Sequence, residues 1–300
     1  MKFLRIYYVL SYLIIFIIPV NVFAQKDTLR TKIEHIIEVA KGNVGVAIIS
    51  LGNNDTLTIN GDSKFPMQSV YKFPLALAVL DKVDKGILSL DQKIFVKKEE
   101  LLPNTWSPLR EKYPEGNVNI TLDELLTYTV SVSDNNGCDI LFRLLGGPKI
   151  VNGYIHNLGI TNIAVAATEE EMHKDGKVQF SNWCTPYAMG QLLSLFYHNK
   201  ILSTKNGKYL MQIMVKTSTG TKRIKGLLPT GTIVAHKTGS SGSNEAGVIG
   251  ALNDVGIVTL PNGNHFVIVV FISNSTAEEA VCENVIAKVT KAVWDWSLGH

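Results

Sequence analysis

Hydrophobic positions recur at helical spacing in TLRTKIEHIIEVAKG, Thr28 to Gly42, where Ile33, Ile36, Ile37 and Val39 share a side and Gly42 supplies a stop. NVGVAIISL follows as a strand. After a Gly52-Asn53-Asn54-Asp55 turn the chain resumes as TLTIN, so the pair reads as a hairpin. The middle of the chain is mostly helical. KFPLALAVL is apolar on every side, which predicts a helix buried at the centre of the domain. ITLDELLTYTV opens with Thr121 and Glu124 in capping-box spacing. NNGCDILFRLLGG is a short helix stopped by Gly146 and Gly147, and TPYAMGQLLSLFYHNK and GKYLMQIMVK follow it. Past Gly231 the period returns to two. TIVAHKTG, AGVIGALNDVGIVTL and HFVIVVFIS read as three strands, the last two joined by a Pro261-Asn262-Gly263-Asn264 turn. The closing TAEEAVCENVIAKVTKAVWDWSL is amphipathic and opens with Thr276 and Glu279 as a second capping box.

This order predicts an α/β fold of the α+β type. Terminal helices cover an antiparallel five-stranded sheet, and a mostly helical unit packs beside it. Residues 25–63 and 222–300 supply the sheet unit, and residues 64–221 the helical one.

Composition changes the picture mainly at the N-terminus. A basic start (Lys2, Arg5), an apolar stretch from Tyr7 to Ile18 and a Val22-Phe23-Ala24 cleavage pattern make residues 1–24 a secretory signal peptide. The apolar stretch is too short to cross a bilayer comfortably. Removing the leader takes Lys2 and Arg5 with it, so the formal charge falls from +3 to +1. No basic cluster is left to suggest nucleic acid. Cys138, Cys184 and Cys282 allow at most one disulfide and read better as small buried hydrophobes. The seven His form no HxxxH pair, which argues against a zinc hydrolase. Hydrophobic residues make up 46 %, enough for one large domain or two intimately joined ones.

The candidate chemistry lies at the mouth of the buried helix. Ser69 and Lys72 stand three apart and share a helix face. A lysine there is partly desolvated, which shifts it toward the neutral amine that can take a hydroxyl proton. The free N–H groups of a helix start favour a developing anion. The pair suits a serine nucleophile with a lysine partner. An SxxK spacing alone arises by chance about once in a chain this long. Two further tripeptides sharpen it: Ser133-Asp134-Asn135 in a loop between helices, and Lys237-Thr238-Gly239 on a strand.

With these three motifs in this order the sequence resembles the penicillin-recognising serine enzymes, and within them the class A β-lactamases. The resemblance covers essentially the whole mature chain. It implies a glutamate in a loop between the second and third motifs, found in AATEEEMHKDGKVQFSNWCTP. Counting back from Lys237, and setting Thr185-Pro186 at the loop's end, places it at Glu169, with Glu170 and Glu171 as adjacent rivals. His173 stands where the family usually has an Asn that helps hold the hydrolytic water, as in an extended-spectrum branch of class A.

The resemblance also implies the roles. Ser69 opens the β-lactam amide, Lys72 and Glu169 are the candidate bases for acylation, and Glu169 activates the water for deacylation. Ser133 relays a proton to the leaving nitrogen, and Asn135 binds the substrate side-chain amide. Lys237 and Thr238 of the Lys237-Thr238-Gly239 motif contact its carboxylate, and the backbone N–H groups of Ser69 and Ser240 form the oxyanion hole. Trp106 matches an aromatic at the site rim. Arg223 stands where some members supply a guanidinium that others carry on the strand after Gly239. Four departures bear on the glutamate loop. Ala167 and Asn182 replace the usual Arg–Asp pair closing it, Asp139 replaces an Asn that braces it, and Glu170 replaces the Pro after the catalytic glutamate.

The expectation is a secreted, monomeric hydrolase, periplasmic if the host has an outer membrane. It acts on small-molecule β-lactam substrates, with no metal or organic cofactor and no nucleic-acid or membrane partner once the leader is removed. A D-alanyl-D-alanine peptidase or esterase leaves the glutamate loop without a use. A β-lactam sensor domain is usually tethered after membrane helices.

Overall fold

The computed structural model describes residues 20–299, so most of the expected leader, residues 1–19, lies outside the described residues. In chain order the helices are α1 (Val20–Ile37), α2 (Lys72–Asp84), α3 (Pro108–Lys112), α4 (Leu122–Ser131), α5 (Asn135–Leu145), α6 (Pro148–Asn157), α7 (Glu169–Lys174), α8 (Pro186–Tyr197), α9 (Thr204–Val215) and α10 (Glu279–Leu298). The strands are β1 (Asn43–Ser50), β2 (Thr56–Ile59), β3 (Phe65–Pro66), β4 (Lys93–Val96), β5 (Val118–Thr121), β6 (Ile163–Ala164), β7 (Trp183–Cys184), β8 (Val234–Ser240), β9 (Ile249–Thr259) and β10 (His265–Ser275).

Five of these strands form one antiparallel sheet in the order β2-β1-β10-β9-β8, the sheet expected from the period-two segments. β1 pairs with β10 in the register Val44↔Ile272, which joins the first and last thirds of the chain. β10 is apolar along its length because both of its faces are covered. Ile268, Val270 and Ile272 pack in the cluster that holds Ile33 of α1 and Val285, Ile286 and Val289 of α10. Val267, Val269 and Phe271 face the other cluster, with Leu75 and Leu77 of α2 and Leu192 of α8. The result is three layers: terminal helices, sheet, helical block.

Two details of the predicted ends are corrected. Lys41, not Gly42, takes the left-handed position after α1, with φ 46°. Gly42 is needed for closeness instead, since a Cβ on it would lie 2.7 Å from Ser275 Cα and 2.8 Å from Ser273 O. The capping box at Thr276 and Glu279 does not form. Glu278 is the N-cap and makes no side-chain cap bond, while Ser275 Oγ accepts the Ala277 N–H. Thr121 does cap α4, accepting the Glu124 N–H at 3.2 Å. The Glu124 carboxylate turns instead to Lys112 and Tyr113. Cys138, Cys184 and Cys282 are buried free thiols, so the possible disulfide is not made.

Two local features position the site. Every residue of α2 from Lys72 to Leu80 is buried. Pro74 has no N–H to continue a helical ladder back to Val70, and the chain enters α2 through a 3₁₀ turn, Gln68–Tyr71. The glutamate loop is pinched at its base by a small sheet, β3-β7-β6, where Ile163 pairs with Cys184 and Ala164 with Trp183. Residues 165–182 thus form a loop whose ends meet.

Candidate active site

Ser69 lies in the 3₁₀ turn, and Lys72, one turn on, is fully buried. The Lys72 Nζ stands 2.9 Å from Ser69 Oγ, 2.9 Å from the Ser133 carbonyl and 2.9 Å from Glu169 Oε1, and it also donates to Asn135 Oδ1. Glu169 Oε1 is 3.5 Å from Ser69 Oγ. A buried ammonium is tolerable only with such partners.

The Ser133 turn is held rigidly. Asp134 caps α5, accepting from Gly137 N, Leu109 N and Ser107 Oγ. Burial pushes its carboxyl up, and those donors pull it back. Ser133 itself has φ 61°, strain that the anchored neighbours sustain. Its Oγ accepts from Lys237 Nζ at 2.8 Å. Burial first, and the Lys72 charge second, pull Lys237 well below the usual lysine range. Asn135 Nδ2 donates to Thr105 Oγ1 at 2.7 Å.

β8 brings its last residues against the nucleophile turn. A Cβ on Gly239 would sit 2.5 Å from Met67 O and 3.3 Å from Ser69 N, so only glycine allows this approach. Asn253 on β9 ties the same turn down, donating to Pro66 O and Met67 O at 2.8 and 3.1 Å. Thr238 Oγ1 meets Thr219 Oγ1 at 2.6 Å. Between these elements opens a cleft of about 340 Å³, whose walls include Ser69, Ser133, Asn135, Thr238, Gly239, Ser240, Arg223 and Trp106. Trp106 stands at the rim, 57 % exposed, its Nε1 donating to Val132 O.

Arg223 is not a surface residue: it is 5 % exposed, and each nitrogen of its guanidinium has a partner. Nη2 donates to Ser240 Oγ at 2.8 Å, Nη1 to Asn253 O and Gly239 O, and Nε pairs with Glu283 at 3.2 Å. His173 lies elsewhere. It is exposed on α7 and is not among the residues lining the cleft.

The three glutamates separate by their place on α7. Thr168 caps the helix, accepting the Glu171 N–H, and the Glu171 carboxylate takes the Thr168 N–H in return. Glu170 pairs with exposed Lys174 at 2.6 Å. Only Glu169 turns inward to Lys72 and Ser69.

The loop stays shut without its usual ion pair because Asn182 serves four groups. Its Oδ1 accepts from Ala166 N and Ala167 N at 2.7 and 3.0 Å, and its Nδ2 donates to Ala167 O and reaches Met172 Sδ. Asn182→Ala leaves these groups orphaned, each worth about 1–3 kcal/mol. The expected outcome is a lower denaturant midpoint and faster proteolytic nicking within residues 165–182. A wild-type midpoint and nicking pattern would remove Asn182 from this role.

Sequence reasoning missed Thr219, Asn253 and the link from Gln68 Nε2 to Gln179 Oε1 that joins the nucleophile turn to the loop. Nothing in TSTG or in an isolated Asn marks them. The Thr168 cap had a signal, the T-x-x-E spacing of Thr168 and Glu171.

A serine beside a buried lysine, a carboxylate in reach of both and a cleft faced by an edge strand define a serine acyl-transfer hydrolase. The chain matches the model of the β-lactamase enzyme family over residues 28–297. It is 48 % identical to β-lactamase VEB-1 of Pseudomonas aeruginosa over 277 residues, 92 % of each chain. It is 42 % identical to the extended-spectrum β-lactamase PER-1 of the same organism, over 92 % of this chain and 89 % of that one. The crystal structure of the extended-spectrum β-lactamase TLA-1 superposes with a TM-score of 0.90 at 55 % identity, covering 91 % of this chain and 99 % of that one. The chain therefore belongs to the β-lactamase enzyme family, as a class A serine enzyme.

Proposed function

We propose that the protein hydrolyses the β-lactam amide of penicillin- and cephalosporin-type antibiotics through a Ser69 acyl-enzyme, and so confers resistance. The observation that carries the reading is the single position of Lys72 Nζ, 2.9 Å from both Ser69 Oγ and Glu169 Oε1. The Ser69 proton has two acceptors in reach, the Lys72 amine when neutral and the Glu169 carboxylate. As Oγ bonds to the β-lactam carbonyl carbon, the backbone N–H groups of Ser69 and Ser240 receive the oxyanion. Ser133, bridged to Lys237, passes a proton to the departing nitrogen. Glu169 then takes a proton from water, which attacks the ester and frees Ser69. Asn135 receives the substrate amide, and Lys237, Thr238 and Arg223 the carboxylate side of the cleft. PER-1 and TLA-1 are named extended-spectrum enzymes, and that range is part of the proposal.

Export with removal of residues 1–24 and action as a monomer, in the periplasm where the host has one, complete the reading. Among the described residues no helix is long and apolar enough to cross a membrane. The division into a sheet unit, 25–63 with 222–300, and a helical unit, 64–221, belongs to the same proposal.

Steady-state kinetics with a chromogenic cephalosporin test the function. Multiple turnovers support it, and a single stoichiometric burst makes the protein a sensor or penicillin-binding protein. Hydrolysis is expected to persist in excess EDTA, because the serine route needs no Lewis acid. Activity lost to chelation and restored by Zn²⁺ overturns that route.

A further inference from the structure

The segment between α9 and β8 runs against the outer edge of the sheet, where β8 is the last strand. Side chains and turns dock it there. Thr217 Oγ1 donates to His236 O at 2.8 Å, and the Ile224 N–H to Asp254 Oδ2 at 3.2 Å. Gly220, at φ 64°, presses so close that a Cβ on it would lie 2.5 Å from Thr238 Cγ2. This docking brings Thr219 Oγ1 to 2.6 Å from Thr238 Oγ1, and both residues line the cleft. Among the described residues neither hydroxyl has another hydrogen-bond partner.

Two hydroxyls supply two protons, and their contact uses one. If Thr238 donates to Thr219, Thr238 shows the cleft only lone pairs, which repel an anion. If Thr219 donates to Thr238, the Thr238 O–H is free to point into the cleft, where it attracts one. The other donors of this wall are already committed. Lys237 Nζ donates to Ser133 Oγ and Thr238 O, and each nitrogen of Arg223 has a protein acceptor. A carboxylate arriving at Thr238 therefore selects the arrangement in which Thr219 is the donor. A hydroxyl that accepts one hydrogen bond also donates a stronger one, because the chain of dipoles polarises itself.

We infer that Thr219 is a positioning residue for substrate binding: its hydroxyl donates to Thr238 and so turns the Thr238 O–H toward the substrate carboxylate. The inference rests on the placing of that carboxylate at Lys237 and Thr238. Valine at position 219 keeps the shape of the side chain and sets a methyl group where Thr238 Oγ1 had a donor.

The readout is the preference for a cephalosporin over its methyl ester, taken as the ratio of their kcat/KM values. Esterification removes the charge and leaves the lactam intact. Thr219→Val should lower this preference about 3- to 10-fold, the scale of one uncharged hydrogen bond, with the loss on the acid falling in KM rather than kcat. Thr219→Ser keeps the hydroxyl and should restore the wild-type ratio. A neutron structure of Ser69→Ala with the cephalosporin bound needs neither variant. The Thr219 deuteron should lie within the 2.6 Å contact, and the Thr238 deuteron should point at the carboxylate.

An unchanged ratio in Thr219→Val overturns the inference. So does an equal loss on acid and ester, or a Thr219→Ser that behaves like Thr219→Val. A Thr238 deuteron aimed at Thr219 overturns it as well. Thr238→Val runs alongside. If it leaves the preference for the acid intact, the carboxylate lies elsewhere and the underlying placement falls. If it lowers the preference while Thr219→Val does not, the placement stands and the role of Thr219 falls.

Discussion

Glu169→Gln is expected to hold the protein as a long-lived adduct on Ser69. The substitution keeps the size and removes the base, and a positioned general base contributes about 10²–10⁴-fold. Acylation retains Lys72, 2.9 Å from Ser69 Oγ, and the backbone donors of the nucleophile turn. Release of the ester loses the only carboxylate of the loop that faces Ser69. Intact-protein mass spectrometry after mixing with a good substrate should show the adduct persisting in this variant alone. Glu170→Gln loses a surface pair with Lys174, and Glu171→Gln weakens a helix cap, so both should return to the free mass. A trap in Glu171→Gln without one in Glu169→Gln would shift the loop assignment by two residues. An adduct that lasts for hours on the wild type would make the protein a sensor.

Arg223→Ala should reduce both stability and catalytic efficiency. The guanidinium is 5 % exposed and spans Ser240 Oγ, the Gly239 and Asn253 carbonyls and Glu283. Removing it strands two strand carbonyls and a mostly buried carboxylate. Breaking a buried pair from one side costs about 3–5 kcal/mol. Binding of carboxylate-bearing β-lactams should weaken by a further 1–3 kcal/mol or so, the scale of a charge-assisted hydrogen bond. Arg223→Lys should not rescue it, since one ammonium cannot span acceptors arranged for a planar fork. A double-mutant cycle with Glu283→Gln separates the ion pair from the substrate contact. Wild-type melting and unchanged efficiency across several β-lactams in Arg223→Ala would leave Arg223 without either role.

Much of this architecture was legible locally. The strands TIVAHKTG and HFVIVVFIS announce themselves by period and by β-branched residues, and they stand as β8 and β10. The buried helix after Ser69 is apolar all round because it meets neighbours all round. Ser69, Ser133 and Lys237 could be singled out because each sits in a short motif whose spacing has a chemical reason. Helix ends were less legible. Gly42 looked like a stop, and Thr276 with Glu279 like a box, but close packing of Gly42 against β10 and the Ser275 bonds claimed those positions instead. A capping box that does form, Thr168 with Glu171, takes one of three adjacent glutamates out of contention, and its spacing was present in the sequence.

What the sequence by itself determined is the order of elements, the all-round burial of the helix after Ser69 and the three polar motifs. All of these follow from contacts within a few residues or from a repeat along one element. Only the tertiary structure decided that Glu169, 100 residues from Ser69, reaches it. The same holds for Asn182 as a substitute for an ion pair, for Asp139 beneath two N–H groups, and for Arg223 buried across Gly239, Ser240 and Asn253. Such contacts depend on strand register and helix packing between distant segments. An Asn, Asp or Arg reads alike from its neighbours in the chain whether it meets water or four buried partners, because hydrogen bonds are satisfied in space and not along the sequence.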